Sequence, residues 1–371
     1  MGFVQTEERK RMEIEELKCM LAGCGRLNRR KDDEEFQGIR ASSKQVVEFN
    51  DEEELVCVTS GVSYLGLAIV NRLLTRGYSV RIIVDNEEDI EKLRELETSG
   101  EMRTSKNGIV AVMVKLTEVE SLVEAFQGCH GVFHTSAFTD PAGLSGYTKS
   151  MAEIEVKATE NVMEACSRTP SVRNCVVTSS LLTCLWRDKT TTPELPPVVN
   201  HESWSDESLC IRNKLWYAVG KLRAEKAAWK IAKERGLKLV TICPGLITGP
   251  EYFDKNPTAT IAYLKDDGKN AGGQEMFKDG LLATVDVMNL ADAHARVFEE
   301  MKKTAYGRYI CFDRVIQVED EAERLAKETG VPANKIVSED ASNCGPPRFV
   351  LSNKKLCNLM SRTRRSCYDR S

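Results

Sequence analysis

The sequence has no C-x-x-C pair, no apolar run long enough to cross a bilayer, and only 4 histidines. Its 13 cysteines are odd in number and scattered singly from Cys19 to Cys367, so neither a disulfide framework nor a metal cluster with the usual ligand spacing is written in the chain. Free thiols of a reducing compartment are the simplest reading. There is no excess of positive charge either: 52 Lys+Arg stand against 56 Asp+Glu, a net charge of -4, which excludes a chain-wide basic field for nucleic acid or anionic membrane. Met1-Gly2-Phe3 is followed by charged residues rather than the apolar stretch of a signal peptide, and the expectation is a cytoplasmic protein without a membrane span. The 24 glycines and 11 prolines show no collagen-like period, and no internal repeat is found.

What is present is enough apolar residue, 42% of 371, for a sizeable core. Residues 1–54 are the exception, dense in charge from Glu7-Glu8-Arg9-Lys10-Arg11 to Asp51-Glu52-Glu53-Glu54. So little apolar area cannot offset chain entropy, and a flexible leader with one short helix near Met12 to Met20 is expected there. From Leu55 short apolar runs alternate with helical patterns. Strands are expected at Leu55–Val58, Val80–Val84, Ile109–Val114, Gly131–His134, Cys175–Thr178 and Leu239–Cys243. The intervening helices include Leu65–Thr75, Ile90–Glu97, Glu118–Phe126, Thr148–Cys166 and a long one over Asn213–Glu234. Six strands joined in this way predict an α/β fold with a doubly wound parallel sheet, Rossmann-like, over residues 55–250. Residues 251–360 loosen into mixed segments: helices at Pro257–Leu264, Met288–Met301 and Asp320–Glu328, and a strand at Arg308–Phe312. They read as a smaller substrate lobe, part of which can rejoin the sheet, and 361–371 as a fraying basic tail.

The first βα turn reads Thr59-Ser60-Gly61-Val62-Ser63-Tyr64-Leu65-Gly66. In a dinucleotide-binding turn, glycines permit a tight bend and let the backbone approach a pyrophosphate seated on the helix N-terminus. Only Gly66 survives of three glycines in the G-x-x-G-x-x-G register, with Ser60 and Ser63 in the other two places; the competing reading is a surface turn capped by Ser63. At the end of the second strand Asp85 suits a ribose 2′-hydroxyl and repels a 2′-phosphate, which leans toward NADH. An N-cap or solvated acid is the equal alternative. Arg81 is the one cation nearby, with its direction open.

Tyr217 and Lys221 stand four apart, on one face of the expected helix. An ammonium near a phenol lowers the phenol's pKa, so the phenol can protonate a reduced carbonyl near neutral pH. One such pair in a chain of this length arises about once by chance. It gains weight from Val177-Thr178-Ser179-Ser180, a strand ending in two hydroxyls where ligands bind an open α/β sheet. His134 reads as a core residue rather than a base, and Asp286 and Asp292 as acids that satisfy loop amides.

With these elements in place the chain resembles the extended short-chain dehydrogenases/reductases, and within them the plant cinnamoyl-CoA reductase and dihydroflavonol reductase group. The resemblance is carried by Thr59 to Gly66, by Gly128-Cys129-His130-Gly131-Val132-Phe133-His134-Thr135, by Val177 to Ser180 and by Glu202-Ser203-Trp204-Ser205-Asp206. Trp216-Tyr217-Ala218-Val219-Gly220-Lys221, Pro244-Gly245-Leu246-Ile247-Thr248-Gly249-Pro250 and Gly307-Arg308-Tyr309-Ile310-Cys311 extend it. It implies an NADPH-dependent carbonyl reductase with Tyr217 as proton donor, Lys221 as its helper and ribose ligand, and Ser180 orienting the carbonyl. By the same resemblance the cofactor is lined by the first turn, by His134, Thr135, Ser136 and Ala137, and by Pro244, Leu246 and Ile247. A small carbonyl compound, with CoA thioesters among the candidates, is the implied substrate. Several positions depart from the group's pattern. Leu215 replaces an asparagine, Ala218-Val219 replace Cys-Tyr, and Asp85 stands where arginine usually meets the 2′-phosphate. Leu182 replaces a glycine after the serines, and Leu185 replaces an asparagine, which argues against a flavonoid. With Trp216, Leu182 and Leu185 are the expected pocket walls. The alternative reading, favoured by Ser60, Ser63 and Asp85, is a cofactor-sensing or scaffold protein with weak turnover.

Overall fold

The computed structural model describes residues 39–41, 54–100, 109–135, 147–187, 196–250, 272–337 and 347–368. The expected helices at Met12–Met20 and Pro257–Leu264 lie outside these residues, as do Ser136 and Ala137.

Among the described residues eight strands form one parallel sheet in the order β1-β4-β3-β2-β5-β6-β8-β11. They are β1 (Ile39–Ala41), β2 (Leu55–Val58), β3 (Ser79–Val84), β4 (Ile109–Met113), β5 (Gly131–His134), β6 (Asn174–Thr178), β8 (Lys238–Pro244) and β11 (Gly307–Cys311); β7 (Val198–Val199) pairs elsewhere. After β1, at the edge beside β4, the next strand is the central β2, from which the chain winds outward to β3 and β4. It then crosses back to build β5, β6, β8 and β11 on the other side. The doubly wound Rossmann-like class follows, with its topological switch point between β2 and β5. β1 comes from the stretch read as a leader, where no strand is expected, while β11 is the strand expected near Arg308–Phe312, rejoining the sheet beside β8 with Tyr309 opposite Ile242.

The helices are α1 (Tyr64–Thr75), α2 (Glu87–Thr98), α3 (Val119–Phe126), α4 (Lys149–Arg168), α5 (Leu182–Leu185), α6 (Glu207–Arg212), α7 (Trp216–Arg235), α8 (Gly272–Asp279), α9 (Val287–Glu300), α10 (Glu319–Thr329) and α11 (Lys354–Tyr368). Strand residues alternate between two cores, because both faces of a parallel sheet must be covered. Val56, Val58, Val80 and Ile82 face α1 and α9, whereas Leu55, Cys57, Val132 and Cys175 face α3, α4 and α7.

Local chemistry sets the helix ends. Ser63, Asn86, Thr148, Asp206 and Asp286 cap α1, α2, α4, α6 and α9 by accepting first-turn amides. Gly236, at φ 71°, closes α7 in the left-handed region that a Cβ disfavours. The helix expected over Asn213–Glu234 is α7 and begins only at Trp216, because Lys214, at φ 56°, separates it from the short α6 that precedes the expected span. Periodicity alone does not register a one-residue reversal of this kind. Residues expected to fray past 361 continue α11 to Tyr368. Beyond the main sheet, β9 (Leu246–Thr248), β10 (Ala283–Asp286) and β12 (Arg314–Val315) form a three-stranded sheet, and β13 (Val350–Leu351) pairs with β7.

Candidate active site

The carboxyl ends of β2, β5 and β6 deliver the residues singled out in the sequence to one edge of the sheet, at the switch point. On β2, Thr59 follows the last strand residue. Its hydroxyl lies 3.0 Å from His134 Nδ1, and its amide donates to Phe133 O at 3.0 Å. His134 is fully buried and also meets Thr159 Oγ1 at 3.2 Å. Burial, with the Lys221 ammonium adding to it, lowers its pKa to about 3. It is a neutral hydrogen-bonded core residue and not a base.

The turn that follows is tight. The Ser60 carbonyl accepts from Ser63 N at 3.1 Å and from Ser63 Oγ at 2.7 Å, and Ser63 Oγ in turn accepts from Gly66 N at 3.1 Å. A Cβ on Gly66 would fall 1.8 Å from that same carbonyl oxygen, so only glycine fits there. Ser60 and Ser63 are tolerated because neither takes positive φ; Lys214 is the single non-glycine residue to do so among those described. Gly61 packs against Ile82, Leu65 faces the core, and the Tyr64 hydroxyl donates to Pro250 O at 2.9 Å.

Two residues at β3 resolve differently. Arg81 points to the face of α3, where its Nη1 donates to Ala125 O at 2.6 Å and Gln127 O at 2.8 Å. Those carbonyls close α3 at the amino edge of the sheet, so Arg81 is not brought to the cofactor turn and is withdrawn from the expected cofactor set. Asp85 stays at the carboxyl edge. Asn86 caps α2, which removes the N-cap alternative for Asp85. Partial burial first, and the Asp89 carboxylate next, raise the Asp85 pKa, with Lys115 acting against them.

The hydroxyl, phenol and amine converge. Ser180, 1% exposed, lies just past β6; its hydroxyl acts on the Tyr217 phenol in favour of the phenolate, and its Oγ accepts from Leu182 N at 3.2 Å. Tyr217 and Lys221 occupy the first and second turns of α7, both buried. Ser179 turns away and donates to Glu225 Oε2 at 2.7 Å. Leu182 and Leu185 lie buried on α5, and partly buried Trp216 packs on the same apolar cluster. Pro244 accepts from Leu181 N at 2.8 Å through its carbonyl, and Leu246 and Ile247 are buried in β9.

Helical spacing alone does not reveal one neighbour. Lys221 Nζ lies 2.7 Å from Glu155 Oε1 of α4, both side chains 3% exposed or less. The Tyr147 ring meets Tyr217 edge-on, centroids 5.1 Å apart. These surroundings correct the expectation of an acidified phenol. Burial raises the Tyr217 pKa, the Glu155 carboxylate adds to that, and the opposing pull of Lys221 and of the Ser180 hydrogen bond leaves the net direction upward. Burial pushes Lys221 down, yet Glu155 and the Tyr217 hydroxyl hold its pKa above the ordinary value. Glu155 has a signal in the sequence: Ala152, Glu155, Thr159 and Val162 share the buried stripe of α4.

Four residues further along α7 from Lys221, Glu225 makes a second buried ion pair, with Arg308 Nε of β11 at 2.7 Å. Thr241 Oγ1 at 2.6 Å and Thr183 Oγ1 at 2.9 Å also donate to Glu225. Arg308 stacks over the Trp204 ring at 3.6 Å and donates to the Ser203 carbonyl. Neither of the two acids expected to satisfy loop amides does so: Asp286 caps α9, accepting from the helical Met288 N at 2.8 Å. Asp292 instead pairs with Arg76 and Arg296.

The residues at the switch point suit a dinucleotide. Among the described residues the buried Thr135 hydroxyl finds no hydrogen-bond partner, an orphan polar atom at the end of β5 beside the tight turn and a capped helix N-terminus. The family profile described as NAD dependent epimerase/dehydratase matches residues 56–310. The chain belongs to this family, the extended short-chain dehydrogenases/reductases. Cinnamoyl-CoA reductase 1 of Petunia hybrida is 35% identical over 315 residues, 82% of this chain and 86% of that protein. Anthocyanidin reductase of Arabidopsis thaliana is 30% identical over 315 residues, 81% of this chain and 88% of that one. Among solved structures, yeast methylglyoxal/isovaleraldehyde reductase complexed with NADPH superposes with a TM-score of 0.61 at 20% identity, covering 83% of this chain and 93% of that one. Membership places the chain among NAD(P)H-dependent oxidoreductases of the extended type. Among the described residues no helix is long and apolar enough to cross a membrane.

Proposed function

We propose that the protein reduces a small-molecule carbonyl at the switch point, with Tyr217 donating the proton. The observation that carries this reading is the convergence of three buried residues, Tyr217, Lys221 and Ser180, at the carboxyl edge of the sheet, where the ammonium and the serine hydroxyl both act on the phenol. A reduced nicotinamide bound there would supply hydride to the carbonyl carbon. Thr59, the turn from Ser60 to Gly66, Thr135, Pro244, Leu246 and Ile247 are the residues assigned to hold it, with Lys221 at the nicotinamide ribose. Ser180 orients the carbonyl oxygen by a hydrogen bond. Tyr217 then passes its hydroxyl proton to that oxygen as negative charge develops, and Lys221 stabilises the phenolate left behind. Burial keeps water away from the exchange.

Leu182, Leu185 and Trp216 give the substrate side an apolar wall, supporting a planar or aromatic carbonyl compound. The similarity to cinnamoyl-CoA reductases supports a CoA thioester as one candidate. Residues from 251 onward are assigned as the lobe that covers it. The described cysteines are all free thiols, which supports the cytoplasm as the location.

Two measurements test this. Tyr217→Phe is expected to lower turnover of any active carbonyl by about 100-fold or more, with nucleotide affinity, followed by fluorescence titration, within about twofold. An unchanged rate would remove Tyr217 from its role. Titration of the same protein with NADH and NADPH reads the ribose end. Asp85 favours a 2′-hydroxyl while Lys115 offers a phosphate the nearest cation, so Asp85→Ser is expected to raise the NADPH-to-NADH affinity ratio several-fold, about 1 kcal/mol. The second reading, a cofactor-binding protein with weak turnover, draws support from Ser63, whose side chain occupies the Gly66 amide at the turn. Nucleotide binding without reduction across a panel of aldehydes, ketones and thioesters would favour it.

A further inference from the structure

Glu155 belongs to no part of the reaction described above, yet its carboxylate lies 2.7 Å from the ammonium that serves the phenol. We infer that Glu155 is a positioning residue: by holding Lys221 from α4 it sets the pH range over which Tyr217 keeps its proton, and so biases the site toward reduction. This rests on the reading of Tyr217 as the proton donor.

The argument is electrostatic and geometric. A lone buried ammonium beside a phenol favours the phenolate, the form that would accept a proton from an alcohol and run the reaction backwards. Pairing that ammonium with a buried carboxylate cancels the field that Tyr217 feels. Oxidation of an alcohol at this site then requires a more alkaline medium, whereas reduction, which needs the neutral phenol, extends to higher pH. Among the described residues the groups that face Tyr217 come from four elements. Lys221, and Glu225 a turn beyond it, lie on its own helix. Glu155 and the neutral phenol of Tyr147 lie on the α4 side, the Ser180 hydroxyl beyond β6, and neutral His134 at the end of β5. Of these only Lys221, Glu155 and Glu225 are charged near neutral pH, and Glu225 is already matched by Arg308. The proton range of Tyr217 is therefore governed mainly by whether Lys221 is compensated.

The test needs no substrate. Protein carrying carbon-13 at the hydroxyl-bearing ring carbon of tyrosine is titrated by NMR, with the Tyr217 signal assigned by its loss in Tyr217→Phe. Glu155→Gln is expected to lower the Tyr217 midpoint by about one to three units. Glu155→Asp, which keeps the charge, should restore a midpoint close to wild type. Equal midpoints in wild type and Glu155→Gln overturn the inference. Should Glu155→Gln fail to fold, the double variant Glu155→Gln/Lys221→Met removes both charges; a midpoint close to wild type supports the inference, because the two charges then cancel, and one clearly displaced from wild type overturns it. Where a substrate is in hand, the alkaline limb of the reduction rate should move with the midpoint in Glu155→Gln. A moved midpoint with an unmoved limb upholds the electrostatic role of Glu155 and overturns Tyr217 as the donor.

Discussion

Helix α7 carries two buried ion pairs four residues apart, and their surroundings differ. Around Glu225 and Arg308, hydroxyls of Ser179, Thr183 and Thr241, a backbone carbonyl and the Trp204 ring converge, and the pair joins β11 to the centre of the molecule. Around Lys221 and Glu155 the neighbours include two phenols, one of them acted on by a strand-end serine. The first environment satisfies charge by hydrogen bonds to fixed groups, which suits a structural lock. The second leaves charge next to a group that can exchange a proton, which suits chemistry. Burial and an opposite charge are common to both; what separates them is whether a transferable proton lies alongside.

The largest effect that would break this contrast lies at the structural pair. Arg308→Met leaves Glu225 buried without its cation and is expected to cost about 3–5 kcal/mol in urea or thermal unfolding, with part recovered in Arg308→Met/Glu225→Gln. The double replacement Glu155→Gln/Lys221→Met, by contrast, removes a whole pair and should change stability by about 1 kcal/mol or less while reduction falls by at least about tenfold. Comparable losses of stability in the two experiments would erase the distinction.

Acid reads the same region from another side. His134, and His294 on α9, whose Nε2 lies 2.8 Å from Thr178 Oγ1 at the end of β6, have pKa values lowered by burial to about 3 and about 4. Their ordinary value is near 6.5, so below that pH the unfolded chain binds protons that the folded chain refuses, and stability falls as the medium acidifies. The loss should reach about 2 kcal/mol for each histidine by pH 5 and flatten only near the folded values, checked by unfolding at pH 7 and pH 5 with His294→Gln as the reference. The smallest effect is remote from both pairs: Ser63→Ala removes the cap of α1 and should cost about 1 kcal/mol with the Tyr217 titration unaltered.

Much of the fold and of the site is legible in the amino-acid sequence itself. Strands such as Leu55–Val58 and Gly131–His134 announce themselves because both faces of a parallel sheet are apolar, and Tyr217 with Lys221 because helical spacing places them together. Glu155 is hidden among Glu153, Lys157 and Glu160 on a helix whose charges look solvated; only its place on the buried stripe gives it away. Arg81 cannot be oriented from the sequence, since alternation names a face of the sheet but not the end of the strand to which a long side chain reaches. Arg308 falls in a segment assigned to a separate lobe, and its return to the central sheet depends on pairing between residues 65 or more apart in sequence.

Lys214 offers a different kind of opportunity. It adopts the left-handed conformation immediately before the helix that bears Tyr217, a geometry glycine accepts freely and a lysine side chain resists. An engineer wanting a hardier catalyst could therefore begin with Lys214→Gly, a change that alters none of the side chains assigned to the reaction.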